Sequence, residues 1–287
     1  MLFRSREFGL PHLAVLFFER AQMLDNNPQH RLNESISHLL AGDWIEGWKK
    51  YDARWFYESD KNTKPILLGE EYNGTQDIQN KIILVYGEQG FGDVIQFSRF
   101  VKVLQIKGAH VVLAIRKQLV ELIQHSFPSV QVVDSAGDIP AYTYHIPLLE
   151  LPKVFNLTPD NIPVETKFLE SQYDKNMFWK TMFLDIKKPK IGFVWNSNRD
   201  AYIGRFKRID LEELLSGIHS DKFEWISLYV ESSEKDLEVL NKYGVRSYDS
   251  ELTNFSDTAA LIDNLDLVIT IDTAVAHLAR SEEHTSE

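Results

Sequence analysis

The sequence has no cysteine among its 287 residues, which excludes disulfide bonds and thiolate metal ligands. It also has no apolar run of the roughly 18 residues that would span a bilayer, and its first residues do not form a clean signal peptide. Lys and Arg number 31 against 42 Asp and Glu, for a net charge of −11. Because a phosphate backbone requires clustered cations, this balance argues against a nucleic-acid partner. We expect a cytoplasmic protein without a transmembrane segment.

With 44% hydrophobic and 25% charged residues, the whole chain is ordinary for a globular protein of about two domains.

The N-terminal residues have the pattern of helices. Residues 1–56 resemble part of a tetratricopeptide array, whose period is about 34 residues, at Ala14, Phe18, Ala21, Gly47, Tyr51 and Arg54. Arg54 departs from the pattern, because the repeat has a small residue there. The polar, turn-rich residues 57–80 are predicted to be a linker.

A glycine-rich turn at residues 87–93 (GEQGFGD) is the stretch around which the rest is organised. The apolar run before it predicts a buried strand, and the helical spacing after it predicts an amphipathic helix. Open α/β sheets bind ligands at the carboxyl ends of their strands, where such a strand-to-helix turn lies. The turn satisfies neither the dinucleotide fingerprint nor the P-loop, because Ile95 and Asp93 stand where those motifs need a small residue and a lysine. Asp93 is therefore either a helix cap, which the turn alone favours, or a general base.

Strands alternate with helices after this turn, which indicates parallel sheets of the α/β class. We predict strands at residues 81–86, 111–115, 130–133, 144–149, 191–195, 223–228, 245–248 and 267–271. We predict further helices at residues 118–124, 173–183 and 259–265, and one that starts at Asp210. Residues 280–287 (RSEEHTSE) resemble a translated sequencing-library adapter, so we expect the natural reading frame to end at Ala279.

Three stretches of the chain carry recognisable motifs, namely residues 86–97 (YGEQGFGDVIQF), residues 192–195 (GFVW), and residues 255–262 (FSDTAALI) continuing to 272–279 (DTAVAHLA). They resemble the heptosyltransferase-like group of GT-B glycosyltransferases, glycosyltransferase family 9, in the bacterial subset that follows tetratricopeptide repeats. The resemblance implies two Rossmann-like domains, an acceptor domain at 81–180 and a nucleotide-sugar domain at 181–279. The second domain is expected to be incomplete.

On the acceptor side, the resemblance places the catalytic base in the Gly-Asp step of the glycine-rich turn, which is Asp93 in this sequence. Its substrate-binding neighbours are then Gly90, Gly92 and Gln96. A carboxylate in that position would remove the proton from the acceptor hydroxyl.

On the donor side, the resemblance implies a basic residue that contacts phosphate after the first strand of the second domain. Lys207 is the position we match, with Arg205 and Arg208 beside it, although residues 207–210 (KRID) depart from the usual Arg-Ser-Ile-Pro. The family's Asp-Thr-small-x-x-His segment falls on Asp272, Thr273, Ala274 and His277. The helix that starts there would offer backbone N–H groups to a diphosphate.

No Asp-x-Asp pair occurs in the sequence. Metal-dependent transferases of the other common fold use such a pair, so we expect a metal-independent reaction without a cofactor. His110 and His145 are isolated and indicate no metal site.

The leading hypothesis is a glycosyltransferase fragment that carries a sugar from a nucleotide-sugar to a glycan, a lipid-linked acceptor or a protein. Its place would be the cytoplasm or the surface of the inner membrane. One alternative is a nucleotide-sugar epimerase of the same architecture. Another is a non-catalytic protein whose helical repeats bind a protein partner. Because the donor site is expected to be unfinished, we predict that residues 1–287 alone are inactive, and measurable turnover would contradict this.

Overall fold

The computed structural model describes residues 8–56, 63–163, 167–197 and 208–281. The helices in chain order are α1 (Pro11–Leu24), α2 (Pro28–Leu40), α3 (Trp44–Lys50), α4 (Phe91–Ser98), α5 (Val101–Ile106), α6 (Lys117–Ser126), α7 (Leu151–Val154), α8 (Tyr173–Met182), α9 (Leu211–Ile218), α10 (Glu234–Lys242), α11 (Phe255–Ile262) and α12 (Ala274–Ser281). The strands are β1 (Glu70–Glu71), β2 (Ile82–Tyr86), β3 (His110–Ile115), β4 (Gln131–Asp134), β5 (Tyr144–Pro147), β6 (Lys190–Val194), β7 (Glu224–Ser227) and β8 (Leu267–Thr270). Two 3₁₀ helices span Tyr51–Trp55 and Leu148–Glu150.

The chain divides into two compact units. The first consists of residues 1–89, 100–113 and 140–164, and the second of residues 90–99, 114–139 and 165–287. These units do not follow the domain boundaries predicted from the sequence, which stay a prediction. No described helix is long and apolar enough to cross a membrane.

The first unit begins with α1, α2 and α3, as the helical pattern of the N-terminal residues predicts. Asn27 begins α2 by accepting a hydrogen bond from the Gln29 N–H at 2.9 Å, with Pro28 in the first helical position. The turn before α3 contains Gly42 with φ +84°, a left-handed conformation that glycine adopts without strain. Whether these helices are a tetratricopeptide remnant stays a prediction.

The sheet of the first unit is parallel where its registers are defined, with its strands in the order β1-β5-β2-β3. Its central strands are almost fully buried, as the apolar runs at 81–86 and 111–115 predict. Strand β1 lies within residues 57–80, for which we predicted a linker, and pairs with Tyr144 and His145 of β5. The linker itself stays a prediction. Two glutamates give no apolar alternation from which a strand could be predicted.

The second unit contains a parallel sheet with strand order β7-β6-β8. In the same unit the end of β3 is followed by β4, and Ser135 N–H donates to the Ile115 carbonyl at 2.8 Å. The strand predictions for these segments are confirmed, except that residues 245–248 form only an isolated bridge from Arg246 to Ile226. The predicted α/β class with parallel sheets is therefore confirmed.

Side-chain caps fix where three helices of the second unit, α9, α10 and α11, start. Asp210 accepts from the Glu213 N–H at 3.1 Å, which confirms the predicted start of α9. Helix α11 begins at Phe255 rather than at the predicted residue 259, because Asn254 caps it. The sequence analysis missed α10, although Ser233 and Asp236 form the capping box that signals its start.

Candidate active site

The glycine-rich turn ends in the first turn of α4. Gly90 is the N-cap residue in extended conformation, and Asp93 is the third residue of the helix. Asp93 Oδ2 accepts a hydrogen bond from the Gly90 N–H at 2.9 Å. Asp93 is therefore not the N-cap residue considered from the sequence, because Gly90 takes that position and the Asp93 carboxylate accepts from its N–H. Because Gly90 has no side chain, the N-cap residue itself offers no side-chain acceptor to the N–H groups in the first turn of α4.

The first turn of α4 packs against the first turn of α12 at Gly92. A Cβ atom at this position would lie 2.7 Å from His277 Cδ2 and 3.4 Å from the Ala274 Cα atom. A side chain at position 92 would therefore require the His277 ring to move. The structure brings together Gly92, Asp93, Ala274 and His277, four of the residues predicted for the site, within the second unit.

The segment that enters α12 is polar. Asp272 is exposed, and Thr273 lies directly before the helix with its Oγ1 atom 3.2 Å from Thr270 Oγ1. The start of a helix carries partial positive charge and N–H groups that lack helical acceptors. Since α4 and α12 both begin at the Gly92 contact, two such starts lie side by side.

Arg116 is a residue near the site that the sequence analysis missed. Its Cζ atom lies 4.3 Å from the centre of the Phe91 ring, and Phe91 in turn contacts Phe255 at 5.0 Å between ring centroids. Burial lowers the pKa of Arg116, and the Asp93 carboxylate opposes this shift. A signal was present, because Arg116 directly follows a predicted strand and so lies at the carboxyl end of a parallel sheet.

The positions of the remaining predicted residues do not bear on the roles predicted for them. Gln96 is exposed on α4, and its carbonyl accepts from Arg99 Nε at 3.1 Å. Arg208 is exposed shortly before α9. Arg205 and Lys207 lie outside the described residues. No contact of these residues tests the roles predicted for them.

One described group could hold a metal ion, which the sequence analysis did not predict. Glu19, Glu34 and His38 of the first unit have ligand atoms within 4.8 Å of one another. Asp43 Oδ2 lies 2.9 Å from His38 Nδ1. However, the Lys50 ammonium is ion-paired with Glu34 and lies 3.5 Å from His38 Nε2. A cation already occupies the position that a metal would take, and we assign no metal there.

No family model matches the chain. Protein FlbA of Caulobacter vibrioides is 25% identical in an alignment 304 positions long, which covers 96% of this chain and 48% of FlbA. The chain thus spans about half the length of that curated relative.

Solved structures of similar fold are more distant in sequence. The crystal structure of the glycosyl transferase family 9 protein from Veillonella parvula DSM 2008 matches with a TM-score of 0.52 at 13% identity, covering 73% of this chain and 80% of that one. The iron-containing dodecameric glycosyltransferase TibC from enterotoxigenic E. coli H10407 matches with a TM-score of 0.49 at 10% identity, covering 72% of this chain and 57% of that one. The Veillonella structure shows a shared fold, in agreement with the α/β architecture described above.

Proposed function

We propose that the protein is a glycosyltransferase that moves a sugar from a nucleotide-sugar to an acceptor hydroxyl. The observation that carries the proposal is the contact of Gly92 with Ala274 and His277. It brings the aspartate expected to act as base close to the helix start expected to hold the donor diphosphate. These stretches are far apart in the sequence, and their meeting was expected only from the family resemblance.

In the proposed reaction, Asp93 removes the proton of the acceptor hydroxyl. The acceptor oxygen forms a bond to the anomeric carbon while the bond from that carbon to the diphosphate breaks, through a state with oxocarbenium character. The electron pair of the broken bond leaves with the diphosphate. General base catalysis of this kind typically contributes about 10²–10⁴-fold to the rate.

The leaving diphosphate is stabilised in this proposal by the start of α12 and by basic side chains. Backbone N–H groups at a helix N-terminus bind phosphate oxygens directly, and Thr273 lies where its hydroxyl can add a hydrogen bond. The proposed donor-binding residues are Asp272, Thr273, Ala274, His277, Arg205, Lys207 and Arg208. The mechanism assigns no step to a metal ion.

The test uses the full-length gene product with a panel of nucleotide-sugars and acceptor extracts. Donor binding is measured by calorimetry, and transfer by release of nucleoside diphosphate and by mass spectrometry of the acceptor. We expect Asp93→Asn to lose transfer by about 10²–10⁴-fold while donor binding stays close to that of the wild type.

The matched control is Asp236→Asn. Asp236 accepts from the N-cap N–H of α10 at 2.9 Å, the same capping interaction at the same distance as in α4. This variant should retain full transfer. Equal activity of wild type and Asp93→Asn would remove Asp93 from the chemistry, and an epimerised donor without transfer would replace the proposal by an epimerase. The inactivity of residues 1–287 alone stays a prediction.

A further inference from the structure

We infer that the 3₁₀ helix Tyr51–Trp55 positions the glycine-rich turn, with Arg54 and Tyr51 as positioning residues for the proposed transfer reaction. The inference rests on the proposed function for its kinetic consequence. The contacts that carry it all lie in the first unit.

Arg54 is the centre of a buried ion cluster. Its Nη2 donates to Glu88 Oε1 at 2.9 Å, and its Nη1 donates to Glu150 Oε1 at 2.8 Å. Only 2% of the Arg54 side chain is exposed, with 8% for Glu88 and 9% for Glu150. The rings of Tyr51 and Trp55 cover the guanidinium, with their centroids 4.8 and 4.5 Å from Cζ. The planar, forked guanidinium allows one side chain to serve both carboxylates.

The two arms of this cluster lead to different places. Glu88 belongs to the glycine-rich turn and lies five positions before Asp93 in the sequence. Glu150 belongs to the 3₁₀ helix Leu148–Glu150 and also pairs with Lys153 at 3.2 Å. Arg54 therefore connects the N-terminal helical segment both to the turn, through Glu88, and to the chain after β5, through Glu150. Glu88 Oε1 also accepts from the Leu149 N–H at 3.2 Å, so the turn is bonded directly to the second 3₁₀ helix as well.

A second contact holds the next residue of the turn. Gln89 has φ +61°, a left-handed conformation that is costly for a residue other than glycine. Its Nε2 donates to Tyr51 Oη at 3.0 Å. The same 3₁₀ helix thus holds two consecutive residues of the turn, one of them in a strained conformation.

Stability alone does not explain the cluster. Buried ion pairs can often be replaced by apolar side chains of similar volume without loss of stability, and the second oxygen of Glu88 is buried without a hydrogen-bond partner. Such an arrangement fixes the place of a charged side chain at a cost in desolvation. It also accounts for the departure of Arg54 from the repeat pattern, since a small residue could not reach Glu88.

The test compares Glu88→Gln with Glu150→Gln in the full-length protein. Each variant removes the charge of one carboxylate that binds Arg54, but only Glu88 is itself a residue of the turn. We expect Glu88→Gln and Tyr51→Phe to lower kcat about 10–100-fold, the size of effect that slight misplacement of a reacting group produces, with the KM for the donor unchanged. Glu150→Gln should lower Tm but retain kcat. Equal losses of kcat in Glu88→Gln and Glu150→Gln would overturn the inference.

Amide hydrogen exchange of a peptide covering residues 82–98 gives a readout that does not depend on activity. We expect faster exchange in Glu88→Gln and Tyr51→Phe than in Glu150→Gln, under conditions where all three are folded. The same exchange in all three would overturn the inference. If the wild type shows no transfer, the proposed function fails, and the exchange data still decide whether the 3₁₀ helix positions the turn.

Discussion

Helices α4 and α11 begin in nearly the same way but differ in whether the N-cap side chain accepts hydrogen bonds from the first-turn N–H groups. Each has an extended N-cap residue and an aspartate in the third helical position, which accepts from the N-cap N–H at 2.9 Å in α4 and 3.1 Å in α11. In α11 the Asn254 side chain also accepts from the N–H groups of Ser256 and Asp257. Gly90 of α4 has no side chain to do this. We call the start of α11 closed, because its N-cap side chain binds first-turn N–H groups, and the start of α4 open, because its N-cap residue has no side chain. The same sequence signal therefore yields both kinds of helix start.

The surroundings of the two aspartates differ as well. Asp257 receives the Lys175 ammonium at 2.7 Å and the Thr253 hydroxyl at 2.6 Å, so it ties α8 to α11. Asp93 lies instead beside Gly92, where α12 approaches, and near the cationic Arg116. An aspartate at the third position of a helix is therefore not evidence of catalysis by itself. The lack of an N-cap side chain at Gly90 and the neighbouring helix start make Asp93 the candidate.

The largest stability change that we expect from this comparison is at the closed helix start. Replacing Asp257 by Asn weakens charge-assisted hydrogen bonds to Lys175, Thr253 and Asn254, which are typically worth about 1.5–3 kcal/mol each when a charged group is involved. Because asparagine keeps one acceptor oxygen, only part of each bond is lost, and we expect Asp257→Asn to lower the free energy of unfolding by about 1.5–3 kcal/mol in total, as measured by urea denaturation at pH 7. A change below about 0.5 kcal/mol, typical of a surface substitution, would contradict the structural role of Asp257.

The same variant has a defined pH dependence. Burial would raise the pKa of Asp257, but the hydrogen bonds from Lys175 and Thr253 outweigh it and lower the pKa below its usual value of 3.8. A carboxyl group whose pKa is lowered by folding stabilises the protein above its unfolded pKa and loses that contribution as the pH falls through the folded pKa. The stability difference between wild type and Asp257→Asn should therefore be constant from pH 7 to about pH 5 and shrink as the pH falls below the usual pKa of 3.8. A difference that shrinks above pH 5 would contradict this.

The contact between α4 and α12 can be broken by a single methyl group. Gly92→Ala places a Cβ 2.7 Å from His277 Cδ2, and overpacking of this kind costs about 1–3 kcal/mol. Gly217→Ala in α9 is the matched control, because nothing lies within 4 Å of its added Cβ. The control should be neutral or stabilising by up to about 1 kcal/mol. Urea denaturation measures both variants.

A second substitution determines whether the clash is the cause. In the Gly92→Ala background, His277→Ala removes the nearest clashing atom and should recover part of the lost stability, in a double-mutant cycle with a coupling energy of about 0.5–3 kcal/mol. Strict additivity of the two substitutions would show that the α4 and α12 starts do not pack as described.

The sequence predicted most of the strands because apolar runs report burial directly. The strands at 82–86, 110–115 and 190–194 lie within a residue of their predicted positions. Segments without such a pattern were missed, namely β1, which consists of two glutamates, and the interruption at Arg99 and Phe100 that divides the predicted amphipathic helix into α4 and α5. Apolar periodicity continues through that interruption, so no pattern of hydrophobicity reveals it.

The candidate site was predictable only in its parts. The glycine-rich turn and the Asp-Thr-Ala segment can each be recognised along the chain, but their packing at Gly92 depends on how distant elements fold together. The cluster of Arg54, Glu88 and Glu150 shows the same limit. Glu88 and Glu150 are separated from Arg54 by 34 and 96 positions along the chain. A lone charged residue in a helical pattern is normally solvated, so nothing in the sequence indicates that Arg54 is buried.

The smallest effect that we predict separates capping from chemistry. Asp93→Asn and Asp236→Asn each remove a carboxylate charge from the first turn of a helix, where it interacts favourably with the dipole by about 0.3–1 kcal/mol. Both variants should therefore lose small amounts of stability in urea denaturation, because both aspartates accept from an N-cap N–H at 2.9 Å. The loss in Asp93→Asn should be no larger than that in Asp236→Asn, since Asp236 also accepts from the Ser233 hydroxyl at 2.5 Å. Similar stability combined with loss of transfer in Asp93→Asn alone would assign the rate effect to the open start of α4. If Asp93→Asn lowers the free energy of unfolding by several kcal/mol, Asp93 has a structural role like that of Asp257, and the distinction between the two helix starts fails.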